Sequence, residues 1–487
     1  MPYLTVKNGD NEIKIKFSGT PVLRDAMALH GVGVFSPCGG KGSCGKCRVD
    51  VFGAVSEPNE KEKTLGYRLA CQTRLLGDAT VTVGDGLEIF GHIETDMQRR
   101  RKKNADWENY AAAVDLGTTT VVLKLFGSDG ACIAEERGMN PQRAVASDVL
   151  GRIDVAVRGS GEMLQRLIAD CVRELLLDAC EKAGVAVHEV ERLVITGNTA
   201  MMYLLTNRDP VSIARAPFES ETLFGEWVGG NTLLAPCMNA FVGGDITCAV
   251  LASGMCERDG ISLLCDIGTN GEIALWKNRT LYVTSAAAGP AFEGGEISCG
   301  CGNIPGAVDS VYVENGAVIA HTVCNKAASG ICGSGIIDAV SAFLSLGMID
   351  KSGYAVRELE IGANGGSVVL TQDDVRALQL AKAAINAAIE TLLAHTGTDV
   401  SDVERFYIAG GFGNRISLEN AARIGLFSES LVKNAVFIAN AALSGACDML
   451  FDCERIECGR RIAKEAVHVE LGGSEEFYKR FIASIDF

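Results

Sequence analysis

Residues 111–126, AAAVDLGTTTVVLKLF, and residues 263–277, LLCDIGTNGEIALWK, read as one unit written twice, with Asp115 and Asp266 in matching places. Each opens with a run of small or branched apolar residues, as a buried strand does. Each then meets an Asp-x-Gly-Thr turn and runs on into a second apolar strand. A second echo follows each: ERLVITGNTAM at 191–201 and ERFYIAGGFGN at 404–414. The order is the same in both halves, and the spacing is far too long for a solenoid repeat. Helical periodicity at 163–184 and 375–397 alternates with strands. The expectation is an α/β unit of two related lobes, about 111–258 and 259–487.

The turns carry the chemistry. Glycine lets the backbone approach phosphate oxygens, and threonine hydroxyls and N–H groups donate to them. Gly117, Thr118, Thr119, Gly268, Thr269 and Asn270 are therefore candidate phosphate-binding residues. Asp115 and Asp266 can hold Mg²⁺ through water, because this ion keeps several waters and takes few protein ligands. Gly410 and Gly411, in IAGGFG (408–413), end a strand where a flat adenine could pack on bare backbone. One such turn alone is an ordinary hairpin; two in homologous positions, followed by AGGFG in order, are specific. Gly333 and Ser334, in GICGSG (330–335), either present N–H groups to a nucleotide or form a tight strand-to-helix turn. Asp245, closing FVGGD (241–245), either orients a reacting group or caps the following helix.

Upstream stands Cys38-GGKGS-Cys44-GK-Cys47, with Cys71 in YRLACQTR. Three thiols on one short loop and a fourth two dozen residues later can surround a binuclear iron–sulfur cluster, which needs four ligands. The loop glycines let backbone N–H groups reach its sulfurs, which tunes the potential. Zinc competes, since Cys44-x-x-Cys47 is also half of a zinc knuckle, and unligated thiols are the remaining alternative. The stretch resembles the 2Fe–2S ferredoxins of the β-grasp fold over roughly residues 1–90. Its five-residue gap between Cys38 and Cys44 is closer to vertebrate and bacterial hydroxylase ferredoxins than to the plant type.

Composition limits the rest. The 487 residues carry 45 Lys+Arg against 61 Asp+Glu, a net of −16, which argues against a nucleic-acid or anionic-membrane surface. The imbalance lies wholly in 111–487, which holds 29 basic and 47 acidic residues. Residues 94–110 contain QRRRKKN and read as an exposed basic linker between a 1–93 domain and the rest. No uncharged apolar run approaches the roughly 18–20 residues that span a bilayer. Eighteen cysteines in a chain without a signal-peptide pattern fit a reducing, cytoplasmic setting in an anaerobe. Cys299 and Cys301 lack further ligands, as do Cys447, Cys453 and Cys458 on one expected helical stretch. All are read as ordinary thiols, and the six histidines have no paired spacing.

Residues 111–487 are similar to the actin-like ATPase superfamily of acetate and sugar kinases, heat-shock chaperones and actin. That resemblance implies two ribonuclease-H-like lobes with ATP·Mg in a hinged cleft, and it gives Asp245 the place of a catalytic carboxylate. End to end, the chain resembles the reductive activators of corrinoid proteins: 2Fe–2S ferredoxin, linker, actin-like ATPase. Asn140-Pro141-Gln142, Asp148, Gly197-Asn198-Thr199-Ala200-Met201, 289–294 (GPAFEG) and Gln379-Leu380-Ala381-Lys382 belong to the same resemblance. It implies ATP-dependent return of one electron to the Co(II) corrinoid of a methyltransferase's corrinoid protein. A low-potential electron donor would stand upstream, and a homodimer is left open. The chain looks short between linker and nucleotide domain, implying a reduced or missing middle domain. Three other readings stand beside this: a small-molecule kinase with a redox-sensing ferredoxin module, an ATP-driven activator of a non-corrinoid enzyme, and a plain electron carrier.

Overall fold

A computed structural model describes residues 2–8, 11–28, 47–82, 104–146, 148–302, 304–410 and 416–487. The N-terminal unit is a five-stranded sheet. Its order is Asn11–Lys16, Tyr3–Asn8, Leu75–Thr82, Arg48–Val55, Arg68–Leu69. The first and last strands of the unit pair in parallel, Leu4 opposite Ala79. Leu4, Val6, Leu23, Met27, Val49, Leu69 and Val81 form its own core under the helix Leu23–Ala28.

The two echoes become two six-stranded sheets of the same design. In the first, Tyr110–Leu116, Thr120–Gly127 and Cys132–Met139 form an antiparallel meander, and Val190–Gly197 joins the first strand in parallel. In the second, Ile261–Ile267, Gly271–Lys277 and Thr280–Ala286 repeat the meander, and Val403–Ala409 takes the parallel place. The registers agree as well: Asp115 lies opposite Thr196, and Asp266 opposite Ala409. The helix Gly161–Ala183 packs on the first sheet. The helix Gln372–His395 is the spine of the second lobe. That second helix is apolar enough to cross a membrane by length and composition, and 72% of its most apolar window is buried in the lobe.

Between the sheets lie two short apolar helices, Gly244–Ser253 and Ala441–Phe451, in one core fed from both sides by Ala113, Val194, Leu264, Val283 and Tyr407. They touch backbone to backbone. A Cβ on Gly445 would stand 2.0 Å from the carbonyl oxygen of Cys248, so only glycine fits. The single helix expected to carry Cys447, Cys453 and Cys458 is in fact two. Asp452 is extended between Ala441–Phe451 and Cys453–Glu465, and its side chain caps the second by accepting from Glu454 N–H.

The linker reading needs correction at its C-terminal end. Residues 104–109 are fastened to the two-lobed unit. Asn104 N–H donates to Phe451 O at 2.7 Å, and Cys453 N–H donates to Asn104 O. Trp107 is buried edge-on against Phe451, and its Nε1 donates to Leu450 O at 2.9 Å. Trp107→Ala removes a buried ring and a hydrogen bond, which costs about 3–5 kcal/mol. The urea midpoint of the two-lobed unit should fall accordingly; an unchanged midpoint would mean that 104–109 is not anchored.

Candidate functional site

Two of the four cluster-candidate thiols lie among the described residues. Cys47 directly precedes the strand Arg48–Val55, and Cys71 sits in the turn after Leu69. Ala70 N–H donates to Cys47 O at 2.8 Å and ties the two segments together. Both thiols are buried and their sulfurs are 3.2 Å apart, far longer than a disulfide bond of about 2.05 Å. Two thiols brought this close in a β-grasp sheet without a disulfide suit a shared iron, so the residues present fit the group. Cys38 and Cys44 lie outside the described residues.

The Cys71 turn is held from beneath by a residue that the sequence reading passed over. Glu62 is 2% exposed. Burial alone would raise its carboxyl, but bonds from Leu69 and Asn59 N–H and from Arg68 outweigh that and hold it below the usual carboxylate range.

The second site is the cleft between the lobes. Asp115 and Asp266 end matching strands, and Asp245 enters from the helix Gly244–Ser253 between them. Glu272 faces Asp266 directly across the hairpin. All four carboxylates are half-buried and press on one another. Burial first, then the charge of Asp245, pushes Asp115 up to about 7 against a hydrogen bond from Asn440. Burial, with Asp245, Asp115 and Glu293 adding, pushes Asp266 up to about 7. Burial raises Asp245 to about 6 despite the Ile246 N–H bond, and burial with Asp245 and Asp266 carries Glu272 well above its ordinary range. Carboxylates that disfavour one another's charge are the donor set a hydrated divalent cation relieves.

Asp245 is not the helix cap. Gly243 holds the cap position without a side-chain bond, and Asp245 is the second helical residue, with Oδ1 accepting from Ile246 N–H at 2.8 Å. Its carboxylate is free to face the cleft.

Around the first turn, three residues outside the motif hold it, two through its carbonyls and one through the Thr118 hydroxyl. Asn140 Nδ2 donates to Gly117 O at 2.9 Å, and Asn140 N–H to Thr119 O. The fully buried Arg152 donates to Thr118 O at 2.8 Å. Asn198 Nδ2 donates to Thr118 Oγ1 at 3.1 Å, while Asn198 Oδ1 caps the helix Thr199–Leu205. In the second turn Gly268 N–H is bonded to Asn270 O, and the Asn270 side chain serves Glu272.

Gly410 has φ +93°, and a Cβ there would stand 2.7 Å from Asp266 Oδ1, so glycine is required beside the acid. Gly411 lies outside the described residues. Gly333 and Ser334 open the helix Gly333–Ser345, but the buried Ser334 hydroxyl donates to Asp309 O at 2.8 Å. Among the described residues no hydrogen bond joins Ser334 to the carboxylates, and no three His, Cys, Asp or Glu side chains form a ready metal site. Gln379 and Lys382 serve the chain's last residues, donating to Ile485 O and Asp486 O.

Three family models match this chain. The one described as the C-terminal domain of RACo, the ASKHA domain, covers residues 260–487. The RACo middle region covers 110–258, and the 2Fe-2S iron-sulfur cluster binding domain covers 6–76. The middle-region match overturns the expectation of a reduced or missing middle domain: the first lobe is that region. The chain is 31% identical over 418 residues to the corrinoid activation enzyme RamQ of Eubacterium limosum, spanning 78% of this chain and 70% of that one. It is 26% identical over 424 residues to the [Co(II) methylated amine-specific corrinoid protein] reductase of Methanosarcina barkeri, spanning 78% and 77%. The solved structure of a reductive activator for corrinoid, iron-sulfur protein superposes with a TM-score of 0.71 at 25% identity, over 99% of this chain and 98% of that one.

Proposed function

The chain belongs to the family of reductive activators of corrinoid proteins, and from that premise we propose that it uses ATP hydrolysis to deliver one electron to the Co(II) corrinoid of a methyltransferase's corrinoid protein, restoring Co(I). The observation that carries this reading is the pairing, in one chain, of two converged thiols 3.2 Å apart in a ferredoxin sheet with a carboxylate-lined cleft between matching turns.

In this reading Cys38, Cys44, Cys47 and Cys71 hold the 2Fe–2S cluster, which supplies one-electron chemistry. The buried sheet around Cys47 and Cys71 keeps water from two of the sulfurs. An upstream low-potential donor replaces each electron passed to cobalt.

In the cleft, Asp115 and Asp266 hold Mg²⁺ through water. The N–H groups of the Gly117–Thr119 turn and of Thr269 and Asn270 receive phosphate oxygens, Gly268 N–H being held by Asn270 O, and the bare backbone at Gly410 and Gly411 receives the adenine. Asp245 orients water against the γ-phosphate. Gly333 and Ser334 contribute backbone N–H groups only, since the serine hydroxyl is committed elsewhere. Sending one electron uphill costs about 2.3 kcal/mol per 100 mV, a range that nucleotide-driven closure can offset.

The test is direct. The reduced protein with ATP should convert a Co(II) corrinoid protein to Co(I), followed by the cobalt absorption spectrum, and a non-hydrolysable ATP analogue should not support the conversion. Equal reduction without nucleotide would sink the coupling.

A further inference from the structure

We propose that Glu62 is the positioning residue of the iron–sulfur centre: its buried carboxylate sets the turn that presents Cys71, and through it the potential of the cluster. The inference rests on the reading that Cys47 and Cys71 are cluster ligands.

Glu62 is the third residue of the short helix Glu60–Leu65 and half of a capping box with Asn59. In an ordinary capping box the acidic side chain reaches back to the cap N–H and is otherwise solvated. Here only one oxygen does so: Oε2 accepts from Asn59 N–H at 2.8 Å. The other oxygen turns inward and gathers the chain around the cysteine. Oε1 accepts from Leu69 N–H at 2.9 Å, Arg68 Nε at 3.1 Å and Thr73 Oγ1 at 3.3 Å.

Those contacts stand on both sides of Cys71. Leu69 lies two residues before it and Thr73 two residues after. The turn between them closes through Gln72 N–H and Thr73 N–H on Leu69 O, and it is stitched to Cys47 through Ala70 N–H on Cys47 O. One carboxylate therefore fixes the ends of the turn whose middle carries the ligand.

The arrangement exceeds what a helix cap needs. A six-residue helix at the surface does not require an acid that is 2% exposed. A buried carboxylate left unpaired is strongly unfavourable, so it is kept only where its acceptors are all used. Its charge is bonded to residues two positions before and two after the ligand, and nearby charge and hydrogen bonding act on such a centre's potential.

The experiment uses the full chain, purified anaerobically, with three variants. Glu62→Gln keeps the shape but turns an acceptor pair into one acceptor and one donor facing N–H groups. Thr73→Val removes only the weakest of the four contacts. Asn59→Ala breaks the cap while leaving the Glu62 bonds to 68–73 in place. Glu62→Gln should shift the midpoint potential to more positive values, because a negative charge is lost. It should also speed the loss of iron to a chelator by about 10- to 100-fold, the ratio expected for a lost hydrogen bond to a buried charge. Thr73→Val should move both readouts the same way but less, and Asn59→Ala should leave both near the parent.

If Asn59→Ala reproduces Glu62→Gln, the residue is a helix cap and the proposal is wrong. It is equally wrong if Glu62→Gln, or Thr73→Val where the former does not fold, retains the parent potential and iron-loss rate. A parent protein that binds no 2Fe–2S cluster would instead overturn the ligand reading, an outcome visible in the parent alone.

Discussion

Cys71→Ala should abolish cobalt reduction while leaving ATP hydrolysis at the parent rate. The residue sits in the core of the N-terminal sheet, 3.2 Å from Cys47, so its loss removes one of two converged thiols. A binuclear cluster needs four ligands, and the purified protein should be pale and low in iron. The carboxylate cleft belongs to other strands with their own cores, and phosphate release should not respond. Iron per chain, Co(I) absorbance and phosphate release measure the three quantities side by side. A variant that still reduces cobalt, or one in which hydrolysis collapses together with colour, would contradict the division of labour.

The converse separation comes from Asp266→Asn. Removing a carboxylate that places the cation should lower ATP hydrolysis by about 100-fold or more, since metal-mediated charge stabilisation is worth several kcal/mol. Cluster content should be unaffected. The same residue makes a pH prediction whose sign is fixed. Asp115 and Asp266 are raised to about 7 and Asp245 to about 6, so the folded state holds protons that the unfolded chain, titrating near 3.8, has released. Their contribution to stability is fully present below about pH 4 and is lost as pH climbs through 6 and 7. The metal-free parent should lose more of its Tm between about pH 5 and about pH 8 than Asp266→Asn does, and Mg·nucleotide should restore more to the parent. A smaller loss in the parent than in the variant would mean that the carboxylates do not act on one another. Asp245→Asn, which spares the two strand-end acids, should keep nucleotide affinity better than Asp266→Asn and lose turnover.

What the sequence discloses follows from how local the signal is. The paired strand–turn–strand units were legible because small apolar runs, an acid and a glycine stand next to each other, and the sheets repeat that order. Cys47 and Cys71 were legible because thiolate spacing is chemically narrow. Glu272 could have been found from the hairpin itself, since the three-residue loop 268–270 between Ile267 and Gly271 places it across the ladder from Asp266. Arg152, Asn440 and Glu62 could not. Each acts on a segment reached only through tertiary packing, and a polar residue inside a helical pattern ordinarily reads as solvated. Asn140 and Asn198 fell between: the resemblance marked them, and only the geometry shows that they hold the carbonyl and hydroxyl of the first turn. Ser334 erred the other way, a hydroxyl in a glycine-rich turn that the packing had already claimed.

The backbone contact at Gly445 makes the two central helices behave as a pair of tongs. At their N-terminal ends Asp245 and Asn440 both act on Asp115. At the Gly445 contact no side chain lies between the two backbones, so no rotamer change there can take up a displacement of either helix. At the far end of Ala441–Phe451, the carbonyls of Leu450 and Phe451 grip Trp107 and Asn104. The cleft acids and the anchors of Asn104 and Trp107 thus stand on one pair of helices that meet at a single glycine.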